Sequence, residues 1–594
     1  MAKADRLQFQ EHSLTFPLWR DPGPKTLWVA VVLALCAVVS AGLALAQENG
    51  HVPVSVVEDW SSRRVIFSEQ VPPELRGQMM AEPRFWQQLY RRHAMRPPAA
   101  EQQEPEGGDD GRDREHGPGD PHQRHKRPRS SRDWSVSLGG GSGGRISGPA
   151  KFVFDVTAPP SCTTDFVVTG IAADGSATQA NIIGFNNLYT NPSGTGSCAG
   201  TGPRVIFAYN VGAGQVPSLV AISLKGDKIA FSENNTLAGT SNFHILTFKT
   251  GAGNGTSAIT PAVPGTGNTA VDFKIPLTGG ATTGPFVDYA HDVAYVTTNG
   301  TNSIVHKISG VFLGTPAEVT TGGWPAMIPG NPGVSTPVYD GVSQHVFVTD
   351  GGGFVDYIDD SVSPAVVHAS GFAFASGGIT AAPVVVDSTR QKVYAFAGNP
   401  GGTHAVVGQA DTSLSAASQV IVSVGAPSNN TVLEGDFNNA YYSGGASTAS
   451  FLYVVGNDSS NTQRAALFNV GFNSSFKMNA TTANGPLNLS VGNTTGVIAS
   501  PLTEFFNSRL NRDFLFSGIS AACQTQGGSG CIRSLDITSG FPAAGAVNNV
   551  ILNAAGGTGT ITVDNNSGNA EASSVYFTTL AGATIVKATQ SGLQ

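Results

Sequence analysis

From about residue 215 to its end, the chain repeats one unit: a short apolar strand, an Asp-containing turn, then a strand of aromatic and β-branched residues. The unit reads PFVDYAHDVAYV at Pro285, PVYDGVSQHVFV at Pro337, PVVVDSTRQKVYAF at Pro383 and TITVDNNSGNAEASSVYF at Thr560, with looser copies from Leu219, Leu433 and Ser500. The aromatic closing each copy falls at Phe231, Tyr295, Phe347, Tyr394, Tyr453, Phe516 and Tyr576, at intervals of 47 to 64 residues. Later units continue into a third strand, such as GFVDYI from Gly353, and many into a fourth, such as QVIVSV from Gln419. Imperfect repeats of this length, built of strand and turn alone, predict an all-β fold: a β-propeller of four-stranded blades. Seven units, plus the strands between Asp165 and Val211, predict eight blades, or seven if that group is an elaboration.

Composition agrees. Charged residues are only 13 % of the chain while 73 residues are Gly, which suits strands joined by turns and not long helices. The last unit ends after its third strand near Gln590, and KFVFDV at Lys151 has apolar alternation but no blade of its own. That strand is expected to complete the last blade and close the ring between the chain ends, protecting edges that an open sheet would expose.

The propeller is expected over residues 149–594. Leu27 to Ala46 is free of charge and, at about 20 residues, long enough to cross a bilayer. It ends in Ala44-Leu45-Ala46, the small-x-small pattern read by a signal peptidase. Residues 1–46 are therefore read as a signal peptide or an N-terminal membrane anchor, and the protein as exported, periplasmic or extracellular. Residues 47–148 are read as a low-complexity tether with a short helix near 73–95, in which Arg84, Trp86, Leu89 and Tyr90 share neighbouring faces. From Ala99 to Arg132 almost nothing is apolar, too little to offset the entropy of ordering.

With Cys36 inside the apolar segment, four cysteines remain: Cys162, Cys198, Cys523 and Cys531. An even number in an exported chain points to two disulfides, and proximity pairs Cys162 with Cys198 and Cys523 with Cys531. The formal charge of −8 offers no basic face to nucleic acid, and the basic run from His122 to Arg132 lies in the expected tether. Membrane contact is expected only through the N-terminal apolar segment.

PVYDGVSQHVFVTDGGGFVDYID, from Pro337 to Asp359, resembles the repeats of bacterial propellers of the PQQ-like and YVTN type. DWSSRRVIFS at Asp59, EPRFWQQ at Glu82 and DWSVSLG at Asp133 look like an exported bacterial group in which a tether precedes such a propeller. The resemblance to quinoprotein dehydrogenases would imply adjacent cysteines over the cofactor and Trp-docking repeats. Here no two cysteines are adjacent and Trp324 is the only Trp after residue 149, so no quinone and no other cofactor is expected.

Six histidines fall in the repeats, at His244, His291, His306, His345, His368 and His404, but at different ranks within their units. They are read as scattered rather than as a metal site. Asp288, Asp340, Asp387 and Asp564 close the turn after each first strand, a place where an Asx side chain bonds its own backbone. Asp350, Asp356, Asp359 and Asp360 are denser, yet match no calcium-loop spacing. No nucleophile motif or metalloprotease motif occurs, and catalytic residues stay unassigned. The reading is an exported, non-catalytic binding or scaffolding module for a protein or glycan at the cell envelope. The alternative is an envelope polysaccharide lyase or hydrolase with its site at the rim of the central channel.

Overall fold

Eight β-sheets follow one another along the chain, each entered at its innermost strand. The computed structural model describes residues 55–93 and 130–590, apart from short internal stretches; the apolar segment at residues 27–46 lies outside them. The innermost strands are Ala150–Val153, Ala221–Ile222, Phe286–Asp288, Val338–Asp340, Val385–Asp387, Asp436–Phe437, Thr503–Asn507 and Thr562–Asp564. Each is followed by antiparallel partners stepping outward, so the molecule is an eight-bladed propeller of mostly four-stranded blades.

The turn after the first strand explains why Asp recurs. Asp288 accepts the Ala290 amide at 3.0 Å, Asp340 that of Ser343 at 2.9 Å and Asp387 that of Arg390 at 2.8 Å. The residue just before the second strand then takes a left-handed backbone, at Asp292, Gln344, Gln391 and Asn511, a conformation that Asn and Asp tolerate better than most residues. Second strands such as Val293–Asn299 and Lys392–Ala397 are buried along nearly their whole length, as expected of strands sandwiched between neighbouring blades.

Ring closure does occur between the chain ends, but through a different strand from the one expected. Ser130–Ser137, labelled β3 here, pairs antiparallel with Thr584–Gln590 and is the outermost strand of blade 8. Lys151 to Val153, the core of KFVFDV, instead belongs to Ala150–Val153, the innermost strand of blade 1, paired with Phe166–Gly170. The reason is strand supply. The group from Asp165 to Val211 holds only three strands, so the apolar strand next to it completes that blade, leaving the DWSVS segment to close the ring. Trp134 anchors the closure: it is 5 % exposed, lies against Phe185 of blade 1 and Tyr576 of blade 8, and donates its indole N–H to the Leu188 carbonyl at 2.9 Å.

The cysteines pair as proximity suggests, Cys162 with Cys198 in blade 1 and Cys523 with Cys531 in blade 7.

Candidate functional site

Residues 55–93, which fall within the expected tether, are not held apart from the propeller: they fill the centre of the ring. Strand β1, Val56–Glu58, pairs antiparallel with the innermost strand of blade 1, and β2, Val65–Ile66, pairs parallel with that of blade 5. Blades 1 and 5 stand opposite each other in an eight-membered ring, so the segment crosses the channel. Helices α1, Arg76–Ala81, and α2, Pro83–His93, follow. The helix expected near 73–95 is thus two, interrupted at Glu82 before Pro83, since the residue ahead of a proline is pushed out of helical geometry.

Val56, Val57, Trp60, Val65, Ile66, Phe67, Met79 and Phe85 are all buried. At roughly 1.5–3 kcal/mol per large apolar side chain, their summed burial is comparable with the whole net stability of a domain, about 5–15 kcal/mol. The segment is therefore core, sharing apolar clusters with blades 3, 4 and 5.

Its arginines point inward as well. Arg64 donates from Nε and Nη2 to Glu434 Oε1 at 3.0 and 2.9 Å, both side chains being buried. Arg92 holds Glu504 through two bonds of 2.9 Å, reaches Asn439 Oδ1 at 2.7 Å and lies 3.9 Å over the Tyr442 ring. Burial disfavours the Arg92 charge, but the Glu504 carboxylate outweighs it and raises the pKa. Beside them, burial and the Glu504 charge hold the Asp513 carboxyl far above the usual range. Arg84 sits between the rings of Phe286 and Tyr289, 4.4 and 4.7 Å from their centres, and donates to the Val287 carbonyl. The single Tyr289 hydroxyl proton is shared between two acceptors, the Ile222 carbonyl at 2.8 Å and Asp59 at 3.2 Å. Carboxylates and tyrosines on the inner edges of blades 3, 6 and 7 thus read guanidinium and carboxylate groups carried by one short segment.

Arg63, Arg91 and Arg92 line a small pocket of about 40 Å³ with Glu504 and Tyr442, room for roughly three waters. Each of these arginines already has a partner: Arg91 bonds Glu58 at 2.7 Å, and Arg63 reaches the Glu504 carbonyl at 3.2 Å. The mouth of the channel therefore contains Arg, Tyr and carboxylates in abundance, but they are spent on one another.

The six histidines lie in blades 2 to 5 and are not brought together. His244 is fully buried between Asp272, at 2.9 Å from Nδ1, and Glu233, at 3.2 Å from Nε2. Burial disfavours its charge, yet the hydrogen bonds to Asp272 and Glu233 prevail and raise its pKa. Glu233 is pulled down to about 2: burial opposes its charge, and bonds from His244 and the Gly214 amide overcome that. His306 bonds Glu318 at 2.6 Å, His291 bonds Asp288 at 2.6 Å, and His345 and His368 stack on Tyr357 from either side. The four aspartates around residue 355 also diverge. Asp350 caps the Gly352 and Phe354 amides, Asp356 accepts the Ser370 amide, Asp359 caps Ser361, and Asp360 accepts from Tyr295, Lys307 and Trp324. Among the described residues no group of three or more His, Cys, Asp or Glu is arranged to hold a metal ion.

Composition alone did not point to Arg64, Arg84, Arg92, Glu434, Glu504, Tyr289 or Tyr442. One signal was present: in a chain with few charges, SSRR at Ser61 and YRRH at Tyr90 concentrate arginine beside aromatic and apolar residues.

The fold and its centre define a class: an eight-bladed propeller whose channel is filled by its own N-terminal segment. No protein-family model matches the sequence, and no curated protein matches it. Solved structures do. Sqt1 from Chaetomium thermophilum is 12 % identical over 78 % of this chain and 98 % of that one, with a TM-score of 0.45. Prolyl oligopeptidase B from Galerina marginata is 7 % identical over 60 % of this chain, with a TM-score of 0.30. This chain spans 44 % of the oligopeptidase's length. Likeness at this level carries no inference about activity.

Proposed function

We propose that the protein is an exported, non-catalytic binding module that engages a protein or glycan of the cell envelope. The observation supporting this is the filled channel. The groups suited to acid–base chemistry at its mouth, Arg92, Glu504, Arg64 and Glu434, are buried in mutual ion pairs. An envelope polysaccharide lyase or hydrolase working at the rim would need residues 55–93 to leave, at the cost of exposing their apolar side chains. The two disulfides support an oxidising compartment. Outer strands of blades 2 to 5 expose Val271 and Phe273, Met327, Val366 and Ile421, apolar surface that a partner can cover without entering the channel.

The test is co-sedimentation of the purified chain with isolated envelope polysaccharide and with envelope membranes, assaying the supernatant for new reducing ends and unsaturated sugar products. Saturable sedimentation with the polymer intact is the expected result. Release of sugar fragments would overturn the reading in favour of the enzyme, and absence of binding to either fraction would remove the envelope partner.

A further inference from the structure

Arg533 lies in the third strand of blade 7, Cys531–Asp536, and none of its side chain reaches solvent. Strand alternation puts it on the same face as Cys531 and Leu535, which belong to an apolar cluster shared with Leu487 and Leu489 of blade 6. Its Nε donates to the Leu489 carbonyl at 2.6 Å, but Nη1 and Nη2 are buried with no partner among the described residues. The other buried arginines differ. Arg64, Arg84 and Arg92 each have a carboxylate within 3.8 Å.

Burial lowers the pKa of Arg533 to about 10, with no neighbouring charge acting on it, so the guanidinium is still charged at neutral pH. An unpaired charge in such surroundings is far more costly than a missing hydrogen bond. The stretches of blades 6 and 7 outside the described residues cannot supply the countercharge. Residues 429–431, 459–463, 492–495, 524–529 and 544–549 contain no Asp or Glu.

We propose that Arg533 binds a small monovalent inorganic anion, of the chloride class, in the seam between blades 6 and 7. The two Nη groups form the donor fork. The Ser490 hydroxyl, buried and also without a partner among the described residues, follows directly on the carbonyl that fixes Arg533 and is a candidate for a further donor. Water could satisfy the N–H groups but would leave the charge uncompensated. A dianion such as sulfate would exchange one net charge for another of opposite sign and bring a larger desolvation penalty.

The full chain, dialysed into halide-free buffer, is melted across a chloride and bromide series at constant ionic strength, and bromide is located in crystals by its anomalous scattering. The melting temperature of the unaltered protein should rise with halide, and in proportion to the logarithm of its concentration once that exceeds the dissociation constant, as mass action requires for a ligand bound only by the folded state. Arg533→Met should lose that rise, and a bromide peak should lie at hydrogen-bonding distance from Nη1 and Nη2. Equal halide responses in the two proteins would overturn the proposal, as would ordered water at Arg533 with bromide found only as adventitious ions on the surface. If Arg533→Met fails to fold, the bromide map of the unaltered protein decides alone.

Discussion

At the residue scale, the most consequential side chains are charged groups that the fold takes out of water. The Arg92–Glu504 pair is buried and doubly bonded. Glu504→Gln leaves the guanidinium without its countercharge, and removing one partner of such a pair costs about 3–5 kcal/mol. Denaturant unfolding should show a loss of that order, with much of it recovered in the double variant Arg92→Met, Glu504→Leu. A loss below about 1 kcal/mol, the worth of an exposed pair, would show that water reaches the site. Asp356 makes a pH-dependent case. Burial and the neighbouring Asp350 push its carboxyl up to about 7 from 3.8, and one of its oxygens is buried without a partner among the described residues. The folded chain therefore holds a proton that the unfolded chain releases. Stability from this group is complete below about pH 4 and is lost as the pH rises through about 7. Asp356→Asn should raise the melting temperature at pH 8 and leave it little changed at pH 4; no gain at pH 8 would show that the fold does not disfavour the Asp356 anion.

At the element scale, two segments were assigned from local pattern and placed by competition for partners. KFVFDV has the alternation of a closing strand, with Phe152 buried and Phe154 52 % exposed, yet an adjacent three-strand blade takes it as its innermost member. DWSVS falls in the stretch read as tether, residues 47–148, and only the structure makes it a strand. In the structure Asp133 is buried against Lys587 at 2.5 Å and Thr589 at 2.7 Å, which makes the closure specific to blade 8. Burial pushes the Asp133 carboxyl up to about 6 against the pull of Lys587. Hydrogen exchange should therefore protect the amides of residues 134–137 as strongly as those of Thr584–Gln590. Exchange at the rate of an exposed strand would show that the ring is closed some other way. The polar residues of helix α2 mislead for a related reason. Arg84, Gln87, Gln88 and Arg92 look like a solvated face, but the surface they meet is lined by carboxylates, carbonyls and aromatic rings. Limited proteolysis should cut between residues 94 and 129, where apolar residues are scarce, and leave the fragment bearing Trp86 bound to the propeller through gel filtration. A fragment that elutes separately without denaturant would contradict its burial in the channel.

At the scale of the whole molecule, the blades are joined by neighbour contacts, by one closing strand and by one segment through the centre. The disulfides act inside blades 1 and 7, across sequence separations of 36 and 8 residues. Loop-closure entropy then predicts losses of about 4 kcal/mol for the variant lacking Cys162 and Cys198 and about 2.5 kcal/mol for the one lacking Cys523 and Cys531. Equilibrium unfolding of the two double Cys→Ser variants measures both. The reverse order would mean that local packing, such as that of Cys523 and Cys531 against the apolar seam of blades 6 and 7, outweighs chain entropy.

The sequence by itself determined the class of fold and the repeated turn, and narrowed the blades to eight or seven, because strand periodicity, Asx turns and the spacing of closing aromatics are local properties that each unit carries within itself; the eighth blade was settled only by the sheet order. It also implied that the chain ends meet, since the last unit is one strand short. Which strand meets it, what fills the channel and which charges pair there were decided only in three dimensions. Arg92 lies 412 residues from Glu504 and Asp133 lies 454 from Lys587, and nothing local in either partner records the other. Those contacts exist because closing a ring brings eight inner edges to one axis, and the segment that can satisfy their carboxylates, carbonyls and apolar surface together is the one that occupies it.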